Sequence, residues 1–162
     1  MSTPVVETSN LSAPAADTGP ATAAAATSLP PPPSSGLFVA TGRRKSAVAR
    51  VRVTPGQGKI SINGRELNDY FKVVSERDAV TSPLSATKTT GMVNINVSVA
   101  GGGRHGQADA VRLGVSRALV KAEKRYEPAL RDLGFLTRDS REVERKKYGR
   151  RGARRRFQFS KR

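Results

Sequence analysis

The chain has no cysteine, no tryptophan and a single histidine, His105. Without thiols it can form no disulfide, thiolate nucleophile or cysteine-held zinc site, which fits a reducing compartment. One histidine without cysteines is a poor start for any metal site. No apolar run approaches the roughly 20 residues a membrane helix needs. The N-terminus lacks the basic start and apolar core of a secretory signal and the arginines of a transit peptide, so the expected location is the cytoplasm. Lys and Arg are also absent from residues 1–36, which hold only Glu7 and Asp17 as charges. The last thirteen residues show the opposite gap: seven Arg or Lys and no acid.

Net charge is +16, with 29 Lys and Arg against 13 Asp and Glu. Residues 1–36 contribute −2, so the remainder carries +18. Residues 137–162 alone hold twelve basic and three acidic side chains, a surplus of +9. With a sequence pI near 11.3, this concentration points to a polyanion and specifically to nucleic acid. Membrane association would call for an amphipathic helix with apolar anchors or a lipidation motif, and neither is visible.

Three regions follow from composition. Residues 1–36 are Ala, Pro, Ser and Thr with little to bury, read as a disordered extension with an extended proline run at Pro30–Pro33. Residues 37–136 have the patterning of one domain. Residues 137–162 read as an extended basic tail that cannot repay its ordering entropy by burial.

Within 37–136, Ala49, Val51 and Val53 alternate with Arg50 and Arg52, the period of a half-buried strand. Pro55–Gly58 reads as a turn and Lys59–Ile62 as the returning strand, closed by Asn63-Gly64. Leu67, Tyr70, Phe71 and Val74 are spaced for a short helix. Residues 75–90 carry no clear period. Val93, Ile95, Val97 and Val99 form the cleanest strand. A helix is expected over about 107–124 on the face of Ala108, Val111, Val115, Ala118, Leu119 and Ala122, with a shorter one from Pro128 to Gly134. Strands first and helices later predict a two-layer α+β domain.

Gly101-Gly102-Gly103 before a helix could offer backbone N–H groups to a phosphate. It lacks the Lys-Ser or Lys-Thr of a nucleotide-binding loop, and a tight strand-to-helix reversal explains it more simply. A phosphotransferase would need acids for Mg²⁺, and Asp109 is the only one nearby. His105 has no sequence partners for a catalytic triad. Catalytic residues, metal and cofactor are therefore all expected to be none. A general DNA-compacting protein would share the charge. Phe157 and Phe159, interleaved with the basic run, suit stacking on unpaired bases or plain hydrophobic packing.

Several segments together resemble the family of protein nine of the small ribosomal subunit, in its bacterial form. They are Thr41–Val51 (TGRRKSAVARV), Gly101–Gly103 with Gly106-Gln107-Ala108, Arg117-Ala118-Leu119, Gly134–Asp139 (GFLTRD), Glu144–Gly149 (ERKKYG) and Gln158–Arg162 (QFSKR). The resemblance implies a two-layer α+β domain like the second domain of small-subunit protein five, with a left-handed βαβ crossover. It implies a non-enzymatic partner of 16S-type rRNA in the subunit head, beside neighbouring head proteins. Carried over to this chain, Arg43, Arg44, Lys45, Arg50 and Arg104 would bind rRNA from the domain. Lys146, Lys147, Arg150, Arg151, Arg154, Arg155 and Arg156 would hold the tail in its RNA channel. Ser160, Lys161 and Arg162 would meet the peptidyl-site tRNA. Gly152 and Phe157 depart from the family's usual basic residue and proline.

Overall fold

The computed structural model describes residues 36–160. Residues 1–35 of the expected N-terminal extension (1–36) and the two terminal cations Lys161 and Arg162 lie outside the described residues. Strands β1 (Phe38–Arg44), β2 (Ala47–Pro55), β3 (Ile60–Ile62), β4 (Arg65–Glu66) and β5 (Val93–Ala100) form one sheet. Helices α1 (Leu67–Tyr70) and α2 (Val74–Ala86) precede β5, and α3 (Arg104–Ala122) and α4 (Glu127–Asp132) follow it, with a 3₁₀ turn at Lys124–Tyr126. The α+β expectation holds.

The strand order is β1-β2-β5-β3-β4, antiparallel except for the parallel pair β3/β5. Lys59–Ile62 therefore does not return beside β2, as the turn at Pro55–Gly58 suggested. β5 inserts between them, so both of its edges are paired. Asn94 fixes the detour: its Oδ1 accepts from Gln57 N and Lys59 N, both at 3.0 Å. Asn63 continues the parallel ladder with its side chain, accepting from Val99 N at 2.9 Å and donating to Val99 O at 3.0 Å.

Inward residues of β2 (Ala49, Val51, Val53) and β5 (Val93, Ile95, Val97, Val99) meet α3 through Ala108, Val111, Val115, Ala118 and Leu119. Tyr126, Phe71 and Leu130 complete this core. The helix sits unusually close to the sheet edge. A Cβ on Gly42 would strike Ala110 O and lie 2.6 Å from Gly114 N, and one on Gly114 would lie 2.6 Å from Val51 Cγ2. Glycine at these two positions lets α3 approach β1.

Residues 75–90, unassigned from sequence, hold most of α2. Pro83 sits inside that helix. Its missing N–H leaves Ala79 O free, and the Ser82 hydroxyl donates to that oxygen at 3.0 Å. The expected helix through Phe71 and Val74 is instead a single turn, Leu67–Tyr70, followed by a break.

Candidate nucleic-acid interface

Helices cover one face of the sheet, and the other is open. Alternation on β1, β2 and β5 places three cross-strand rows there: Thr41–Arg50–Ser98, Val39–Arg52–Asn96 and Arg43–Val48–Ala100. Apart from half-buried Val39, these side chains are exposed, and none of the nine is acidic. Arg43, Arg50 and Arg52 thus stand on a flat surface of small polar and apolar groups. Arg43 and Arg50 belong to the expected rRNA set. Arg52 does not, although its place two residues after Arg50 was signal enough. Lys45 is exposed in the hairpin turn between β1 and β2, with φ of 51°.

Arg44 differs. It faces inward from β1 and is 9% exposed. Its guanidinium meets the Asp139 carboxylate at 2.8 Å and Asp109 at 3.5 Å, and Nη1 donates to the carbonyls of Arg141 (3.0 Å) and Asp139 (3.3 Å). Five N–H donors in a planar fork suit such a cluster of acceptors. Asp109 also faces Arg112 at 3.4 Å, so this acid beside the glycine turn is occupied by two cations.

Beyond Asp139 the described residues of the tail form no helix or strand. Arg141 wraps Asp139 with side-chain contacts down to 2.7 Å and a backbone bond of 2.8 Å. These hydrogen bonds, from the Arg141 side chain first, hold the Asp139 carboxyl well below the usual carboxylate range. Further on, Arg154 chelates Glu144 through Nε at 3.2 and 3.3 Å and through Nη2, which depresses Glu144 and raises Arg154. The Arg151 guanidinium lies 5.8 Å from the Phe157 ring centre. The curl encloses a concavity of about 930 Å³ lined by Lys147, Arg150, Arg154 and Arg156. Lys146, Lys147, Arg151, Arg155 and Arg156 are exposed and Arg150 is half-buried. Phe159 (94% exposed) and Ser160 project beyond them.

The glycine turn packs tightly. Gly101 and Gly102 have φ of 74° and 64°, and a Cβ on either would meet the β1–β2 turn, at Ser46 O and Ala47 respectively. Gln107 locks the turn, donating to Gly101 O at 2.9 Å and accepting from the Tyr70 hydroxyl at 2.8 Å. Arg104 opens α3, and its guanidinium lies 5.8 Å from the centre of the Tyr70 ring, donating to Tyr70 O. Among the described residues no group of three or more His, Asp or Glu could hold a metal ion, and no helix is long and apolar enough to cross a membrane.

The structure thus joins an α+β domain with an open arginine-bearing face to a long basic tail tied back to it. Residues 42–162 match the family described as Ribosomal protein S9/S16. The chain is 54% identical over 121 residues to "Small ribosomal subunit protein uS9" of Anaeromyxobacter sp. (strain K), and equally to that of Anaeromyxobacter dehalogenans (strain 2CP-1 / ATCC BAA-258). Each alignment covers 75% of this chain and 93% of the relative. The chain belongs to the Ribosomal protein S9/S16 family, and is a structural, non-enzymatic component of the small ribosomal subunit.

Proposed function

We propose that the domain binds 16S-type rRNA in the head of the small subunit, beside other head proteins, and that the tail reaches the peptidyl-site tRNA on cytoplasmic ribosomes. The observation that supports this most is the asymmetry of the tail. Its root is clamped by Arg44 to Asp139, while the basic side chains from Lys146 to Arg156 are exposed, apart from half-buried Arg150, with almost nothing apolar to bury. Such a segment is suited to a channel of phosphates, where each cation displaces counterions.

In this reading Arg43, Lys45, Arg50 and Arg52 contact phosphate and sugar from the sheet side, reading shape more than sequence. Arg104 joins them from the start of α3. Arg44 acts on the RNA indirectly, by aiming the tail. Lys146, Lys147, Arg150, Arg151, Arg155 and Arg156 line the channel, and Arg154 reaches phosphate once it leaves Glu144. Ser160, Lys161 and Arg162 make the tRNA contact, with Arg162 the main phosphate ligand because its fork suits bidentate binding.

The test is a chain lacking residues 160–162, assembled into small subunits. Near-normal assembly with weakened tRNA retention in the peptidyl site is expected. Unchanged tRNA affinity would overturn the tail assignment, and failure to sediment with small subunits by the full chain would overturn the rRNA assignment.

A further inference from the structure

Between the β1–β2 turn, α2 and the start of α3 lies a cavity of about 380 Å³. Its walls include Lys45, Ser46, Glu76, Arg104, His105 and Asp109. The size falls within the roughly 300–1,000 Å³ of small-ligand sites. Glu76, on α2, is the unusual member. It is 7% exposed, and its Oε2 is covered without a hydrogen-bond partner among the described residues. A buried carboxylate oxygen left unpaired costs free energy that a packed helix has no reason to carry.

We propose that this cavity receives one unpaired guanine nucleotide of the bound RNA, with Glu76 reading its Watson–Crick edge. The inference rests on the RNA-binding reading above and gives that site a sequence preference. An ionised carboxylate only accepts hydrogen bonds. Guanine presents two adjacent donors on that edge, N1–H and the 2-amino group, which match the two oxygens of one carboxylate once a side-chain rotation brings the covered Oε2 to the cavity. Adenine and cytosine each set an amino donor beside an acceptor, so neither can satisfy both.

The rest of the cavity suits the remainder of a nucleotide. The first turn of the nineteen-residue helix α3 has N–H groups without intrahelical partners, and Gly103 at its N-cap has no side chain to fill them. These donors, with Lys45 and Arg104, fit a phosphate. The exposed His105 ring can stack on a base, as histidine does in single-stranded recognition. A lysine or arginine from a neighbouring protein would also satisfy Glu76, but it would enter among Arg44, Lys45 and Arg104, and like charges oppose it. A nucleotide brings the donor edge and the negative charge together.

The experiment uses the full chain and labelled RNA pentamers, all adenine except for guanosine, inosine or adenosine at the centre. Inosine keeps N1–H and lacks the 2-amino group. The wild-type chain should prefer guanosine to inosine and to adenosine by about tenfold, as a good bidentate base contact implies. E76A should remove the preference, read as the ratio of guanosine to adenosine affinities, and E76Q, with one acceptor and one donor, should lose most of it. Equal wild-type affinity for the three pentamers would overturn the proposal and leave the RNA-binding reading standing. A preference that survives in E76A would overturn the assignment to Glu76. Absence of binding to any pentamer would overturn both. If E76A fails to fold by circular dichroism, the wild-type comparison still decides.

Discussion

Arg44 and Asp139, 95 positions apart, meet at 2.8 Å, and this pair fastens the start of the tail to the first strand of the sheet. R44A should release residues 139–145 from the domain. Cleavage by a glutamate-specific protease at Glu142 and Glu144 would then accelerate several-fold, while the domain core stays protected. R44K should not restore protection, because a single ammonium cannot serve two carboxylates and two carbonyls at once. Equal cleavage rates in wild type and R44A would contradict the clamp.

The same root has a defined pH response. Hydrogen bonds from Arg141, with the charge of Arg44 behind them, lower the folded-state pKa of Asp139. A depressed carboxylate pKa contributes stability above the unfolded value, near 3.9, and loses it only as pH falls through the folded value. The clamp should therefore survive mild acid. A carboxyl-detected NMR titration should place the Asp139 midpoint well below that of an ordinary aspartate, and R141A should move it upward. An ordinary midpoint in the wild-type chain would contradict the geometry.

The contact of α3 with β1 depends on two hydrogens. G42A should destabilise the domain by about 3 kcal/mol, at the upper end of overpacking effects, because the clash is with helix backbone and not a flexible side chain. Urea unfolding measures this directly. By contrast, G152A should be nearly neutral, since the nearest atom to its new Cβ is Arg155 Cβ at 3.7 Å.

RNA affinity should fall steeply with salt. If about six phosphates are neutralised, the log–log slope will be roughly −4 to −5 for single-stranded or mixed RNA. The double variant R50A/R52A removes two exposed cations of the open sheet face and should flatten that slope by about 1.4. An unchanged slope would move the RNA footprint off that face.

Where the sequence was readable, the reason was a clean period. β5 alternates Val and Ile with Asn and Ser, and α3 repeats its apolar face through Leu119, so both were visible. β1 was not, because its three most buried positions are Ala40, Gly42 and Arg44: a small residue, one without a side chain, and a charge. Tight packing under α3 and the tail clamp impose those choices, and they erase the hydrophobic alternation. α2 was hidden likewise, since its buried set is Glu76, Val80, Pro83 and Leu84. The β3/β5 pairing joins residues about 35 positions apart, and the turn before β3 imitates a hairpin. Arg43 and Arg50 stand exposed on the open face, where the charge argument wanted them. Arg44 reads as a third cation beside Arg43 until Asp109 and Asp139 are brought to it, and no local pattern predicts that. The Glu76 cavity combines residues from three elements and has no linear signature.

The most direct measurement is a photo-crosslink from the tail in assembled small subunits. A photoreactive phenylalanine in place of Phe159, exposed and just before the terminal cations, would be irradiated with tRNA bound in the peptidyl site. A crosslink to the anticodon stem-loop of that tRNA, lost when the site is empty, is the predicted result. Crosslinks to rRNA or protein alone, unchanged by tRNA, would contradict a tail that reaches the tRNA.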